Sequence, residues 1–152
     1  MNVNEAVRNA RALLAVHGLT DWTIKLDSAK NRAGRCTYST RTISLSRVLI
    51  ELRSPEDTRN TVLHEIAHAL TPGHHHDAVW ARKCREIGGN GQRTHTDSPV
   101  PYRYTSVCPN GHTGGRHKMS KAIKVGASCG KCSSAFNPRF VLKWVDNGPV
   151  RV

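Results

Sequence analysis

His64-Glu65-Ile66-Ala67-His68 lies in a segment marked at both ends as a helix, and no other feature restricts this chain so tightly. Ser54 offers an N-cap hydroxyl, Pro55 suits the first helical position, and Glu56 and Asp57 put negative charge in the first turn. Leu63, Ile66, Ala67 and Leu70 recur at helical spacing, and Thr71-Pro72-Gly73 stops the run. The pattern predicts a helix over 55–70 with one apolar face. Histidines four apart then sit one turn from each other on one side. Two imidazole nitrogens so placed can share a metal ion, with His64 and His68 as ligands. Glu65, about 100° round the helix, reaches a water beside that ion without occupying it. The arrangement points to hydrolysis at a metal with Glu65 as general base.

An open hydrolytic zinc site needs a third protein ligand. His74-His75-His76 follows at once, with Asp77 beside it. A second helix is predicted from about His76 to Ile87, with Trp80, Cys84 and Ile87 as its apolar stripe. His76 falls one turn before Trp80 and so projects from the inward face, which makes it the first candidate. His75, near Val79, is the second. His74, next to the Pro-Gly turn, is expected to be exposed.

The C-terminal cysteines carry a separate signal. Cys108-Pro-Asn-Gly-His112 and Cys129-Gly-Lys-Cys132 are two ligand pairs at zinc spacing, and three thiolates with one imidazole make a closed tetrahedral site. His117 also lies between the pairs and competes with His112. Strand-like flanks, Tyr102 to Val107 and Phe136 to Trp144, fit a ribbon, and too few apolar residues surround them for folding without metal. Cys36 reads as strand and Cys84 as helix core, both as buried thiols. Two Zn2+ ions are therefore expected, one catalytic and one structural.

Charge is uneven. The net charge is +12; residues 102–152 hold nine Lys/Arg against one acid, and the first 101 hold fourteen against ten. A basic block beside a hydrolytic core suggests a polyanion partner, most plausibly DNA. Tyr102, Tyr104, Phe136, Phe140 and Trp144 interleave with it, so single-strand stacking is compatible but not required. The sequence offers no membrane-spanning run and no signal-peptide core, so a cytoplasmic, monomeric protein that can associate with the nucleoid is expected. The order of elements is a helix over 4–17 (Ala6, Ala10, Leu13 and Leu14 inward), a strand over 22–27, a hairpin over about 34–46, a short helix over 47–52, then the two helices above.

With these residues in place the chain resembles the SprT-like zinc metalloproteases, the group that includes the Spartan DNA–protein crosslink proteases. The resemblance rests on Trp22-Thr23-Ile24-Lys25-Leu26, Gly34-Arg35-Cys36 and Ile43-Ser44-Leu45-Ser46 before the histidines. It continues with Gly73, His76-Asp77-Ala78-Val79-Trp80 and the cysteine pairs after them, over roughly residues 5–145. It implies an α+β, zincin-like core with a small antiparallel three-stranded sheet packed on helices over 1–90. A linker over 91–101 and a zinc ribbon over 102–147 would follow. It also implies an endopeptidase acting on DNA-associated protein, in DNA–protein crosslink repair. The competing expectation is a non-catalytic nucleic-acid-binding ribbon protein with a vestigial histidine site. A deformylase-like amidase ranks below both, because the chain lacks the upstream Gly-Cys-Leu-type ligand segment.

Overall fold

The computed structural model describes residues 2–93 and 100–149, which divide into two compact units, Met1–Val100 and Pro101–Val152. Most of the linker expected over 91–101, and Arg151 of the basic block, lie outside the described residues.

In the first unit α1 (Val3–Val16) is capped by the Asn2 side chain, which accepts from the Asn4 N–H at 2.8 Å. Ala6, Ala10 and Leu14 are buried at every fourth position, and Leu13 is half-buried beside them. Three strands follow, β1 (Thr23–Asp27), β2 (Gly34–Thr37) and β3 (Thr42–Ser46), in the order β1-β3-β2. The sheet is mixed, which corrects the antiparallel expectation: β2 and β3 form an antiparallel hairpin, but β1 pairs with β3 in parallel. The cause is burial. Ile43, Leu45 and Ser46 are the most enclosed strand residues, so β3 takes the middle and forces β2 to the outer edge. β3 then returns alongside β1 in the same direction. The loop between β1 and β2 is held by Ser46, whose hydroxyl donates to the Ala29 carbonyl at 2.5 Å.

Ser46 also caps α2 (Arg47–Leu52). The helix that carries the motif, α3 (Pro55–Leu70), has the predicted bounds, with the Ser54 hydroxyl accepting from the Asp57 N–H at 3.0 Å. Its Val62 and Ile66 join Leu14, Ile24, Ile43 and Leu45 in the main core. Ala67 instead packs with Trp80 and Cys84 of α4 (Ala78–Glu86), both fully buried. This last helix begins later than predicted because Asp77 is its cap, accepting from the Val79 and Trp80 N–H groups at 3.0 Å. His76 therefore stands outside the helix. Cys84 is buried as expected, but Cys36 is only half-buried.

The second unit is a three-stranded antiparallel sheet in the order β5-β4-β6, from β4 (Tyr104–Val107), β5 (Thr113–Arg116) and β6 (Lys143–Asp146). A short helix, α5 (Lys121–Val125), lies between β5 and β6. The last strand starts later than Phe136 because Asn137, Pro138 and Arg139 form a turn, in which the Asn137 side chain accepts from the Arg139 N–H. β5 was not foreseen, since Gly114 and Gly115 are poor strand formers. Gly115 has a packing reason: a Cβ there would collide with the Tyr102 ring. Between residues 101 and 149 the only buried apolar side chains are Cys108 and Cys129. No helix among the described residues is long and apolar enough to cross a membrane.

Candidate active site

α3 presents His64 and His68 one turn apart, and the chain doubles back after Gly73 to bring His76 over them. His76 Nε2 lies 2.9 Å from His64 Nε2 and 3.0 Å from His68 Nε2. Tetrahedral zinc with Zn–N bonds of about 2.0–2.1 Å needs nitrogens about 3.3 Å apart, so small adjustments let this triad hold it. His76 reaches the triad by a different route from the predicted helical face. Its backbone is left-handed, with φ 55°, and this turns the ring back toward α3. His75 is exposed and lines the cleft without joining the triad. His74, expected to be exposed, is half-buried and holds Asp77 at 2.7 Å.

Trp80 is the platform beneath all three rings, with centroids 4.6 Å from His64, 5.2 Å from His68 and 4.6 Å from His76. The sequence assigned Trp80 only to a helical stripe. Burial, and then the charge of His76, pulls His68 down to about 4. Burial and the Arg93 charge also lower His76. The His68 and His76 rings are thus neutral near pH 7, with lone pairs free for a cation.

Glu65 is 7% exposed and sits beneath the edge strand β2. A Cβ on Gly34 would stand 2.7 Å from both Glu65 Cγ and Oε1, so only glycine leaves room for this carboxyl. The Cys36 backbone N–H donates to the carboxylate. Burial pushes Glu65 up to about 7, against the pull of that N–H and of the Arg32 charge. Cys36 shares the environment: burial first, and Glu65 second, push its thiol up to about 12. Tyr38 closes another side by donating from its hydroxyl to the His68 carbonyl at 2.7 Å. The histidines and Glu65 open into a cleft of about 440 Å³. Sequence reading missed Gly34, Tyr38 and the Cys36 N–H. A glycine inside a strand was the available signal for a close approach.

The profile of the SprT-like family matches residues 3–100. The chain belongs to the SprT-like family. Among solved structures it is similar to the crystal structure of the metallopeptidase zymogen of Methanocaldococcus jannaschii jannalysin. Identity is 17% and the TM-score 0.47, over 57% of this chain and 81% of that one. No match was found among curated proteins.

The SprT-like match ends at residue 100, so the cysteine unit lies beyond it. There, Cys108 Sγ is 3.6 Å from His112 Nδ1 and 3.8 Å from Cys132 Sγ. His112 Nδ1 is 3.3 Å from Cys132 Sγ and 3.7 Å from Cys129 Sγ. Zinc with Zn–S bonds of about 2.3 Å needs sulfurs about 3.8 Å apart, so this donor set fits a tetrahedral ion as it stands. Burial works against ionisation of Cys129, but the Lys131 and Cys132 N–H groups and the Cys132 and Cys108 thiols together outweigh it and bring the thiol to about 7. His117 is not in the cluster; its ring packs on Tyr102 with centroids 4.9 Å apart.

Proposed function

We propose that this SprT-like protein is a zinc-dependent endopeptidase, with His64, His68 and His76 as ligands of the catalytic ion and Glu65 as general base. The observation that carries the reading is the convergence of three Nε2 atoms beside a carboxyl that is buried, raised to about 7 and open to the same cleft. Zinc bound there supplies a Lewis acid that polarises a peptide carbonyl and acidifies water. Glu65 takes the proton of the attacking water and returns it to the leaving amine. The Cys36 N–H and the space left by Gly34 fix the carboxyl where it lines the cleft. β2 is an edge strand and Cys36 spends its N–H on Glu65, so the backbone groups of Gly34 and the Cys36 carbonyl remain for an extended peptide.

Cys108, His112, Cys129 and Cys132 hold a second, structural zinc in this reading. The basic second unit binds DNA and brings the peptidase to DNA-associated proteins. Its support is charge alone, nine Lys/Arg against one acid from residue 102 onward. The five free cysteines fit a reducing, intracellular setting. The non-catalytic reading leaves the buried Glu65 without a role.

The test is hydrolysis of protein substrate, and of the chain itself, by the zinc-loaded protein with and without DNA. Glu65→Gln should retain both zinc ions and lose activity by roughly a thousandfold or more. DNA should stimulate the wild type alone. Proteolysis that persists in Glu65→Gln sinks the assignment, and DNA binding with no cleavage by either protein favours the non-catalytic reading.

A further inference from the structure

The walls of the cleft are cationic. Arg32, Arg35, Arg53 and Arg93 line it, and Glu65 is the one acid among the described lining residues. Arg32 pairs with Asp27 at 2.7 Å. Arg35 and Arg93 are exposed and form no ion pair with a carboxylate among the described residues. Arg35 stands on β2, between the two residues that hold Glu65. Arg93 follows α4 and is near enough to His76 for its charge to act on that ring. The two guanidinium groups thus reach the site from separate segments.

Any chain cut here must come within reach of Glu65 and the histidines, and so must lie against these side chains. Guanidinium accepts a carboxylate through two parallel hydrogen bonds. A lysine or arginine of the substrate would meet like charge in a cleft partly shielded from solvent, where repulsion is stronger than in open water. Charges elsewhere on the basic surface are screened within about 8 Å at physiological salt, so the cleft's own arginines dominate. We infer that the cleft selects acidic peptide segments, with Asp or Glu side chains flanking the scissile bond paired to Arg35 and Arg93. This rests on the peptidase reading above and adds the substrate class. It has a consequence for DNA-associated targets: the basic segments by which proteins grip phosphate are disfavoured, and cleavage falls on their acidic stretches. Nucleic acid is the other polyanion the walls would attract. A duplex is too broad for a cleft of about 440 Å³ that must also admit the scissile peptide.

The experiment uses the full chain loaded with zinc and a matched set of labelled peptides carrying Glu, Gln or Lys on both sides of one bond. Binding is read by fluorescence anisotropy on Glu65→Gln, and cleavage on the wild type. The Glu peptide should bind and be cleaved roughly five- to tenfold better than the Gln peptide, with the Lys peptide poorest and the spread narrowing as salt rises. Arg35→Glu combined with Arg93→Glu should reverse the order while zinc content stays the same. Equal binding of the three peptides overturns the charge selection but leaves the peptidase reading standing if all are cut. Equal binding together with inhibition of cleavage by a short single-stranded oligonucleotide assigns the walls to nucleic acid instead. Cleavage of no peptide, with equal binding, removes both readings.

Discussion

Glu65 depends on a neighbour that has no side chain. Gly34 is required because a Cβ there would stand 2.7 Å from both Cγ and Oε1 of the carboxyl, closer than any side chain permits. Gly34→Ala is therefore expected to swing Glu65 out of line, lowering kcat by roughly tenfold or more. Zinc content should be unaltered, and metal analysis beside steady-state kinetics checks both. Cys36 reports on the same burial. At pH 8 an ordinary thiol of pKa near 9 is about one-tenth thiolate, whereas a thiol held near 12 is ionised roughly a thousandfold less. Since thiolate is the reactive form, Cys36 should resist iodoacetamide at pH 8 and react about tenfold faster for each added pH unit through pH 10. Glu65→Gln removes the second cause of the shift and should speed the reaction, as peptide mapping by mass spectrometry would show. The strand glycine signalled a close approach but not its partner, because the contact joins β2 to α3 across about thirty positions.

Among the elements, α3 was legible to the residue because its cap, its first-turn proline and its stop signal are all local. α4 was misjudged at its start for an equally local reason. Asp77 is a better cap than any residue before it, and its carboxylate takes two N–H groups. The structure brings His76 to His64 and His68, but not from the helical face on which the choice rested. Asp77→Ala should cost about 1 kcal/mol, lowering the melting temperature of the first unit by about 4 °C or more. His74 also loses its partner, so zinc should leave the variant at a lower chelator concentration; calorimetry with a chelator titration measures both effects. The sheet order was not legible. Which strand lies in the middle depends on what packs above and below it, and the alternation along each strand is silent on that.

At the scale of the whole molecule the two units stand on different physics. The first encloses a continuous apolar core from α1 through β3 to α3. The second buries two cysteines and little else that is apolar, so a metal held by Cys108, His112, Cys129 and Cys132 would supply most of its folding free energy, on the order of 10 kcal/mol for a site of this kind. Cys129→Ser is expected to unfold residues beyond 100 while the first unit keeps its native spectrum. Amide NMR or limited proteolysis distinguishes that from a global loss. The cysteine spacing made this unit legible as a candidate metal site, while β5, with two glycines in four residues, could emerge only from the assembled ribbon. Each metal cluster draws all its ligands from one unit, 64–76 in the first and 108–132 in the second. Two ions bound at these clusters would therefore be separate reservoirs. When zinc becomes scarce, a closed site of three thiolates holds its ion longer than an open site of three imidazoles. On the proposed function, scarcity would then silence hydrolysis by the first unit before the second unit lost its metal.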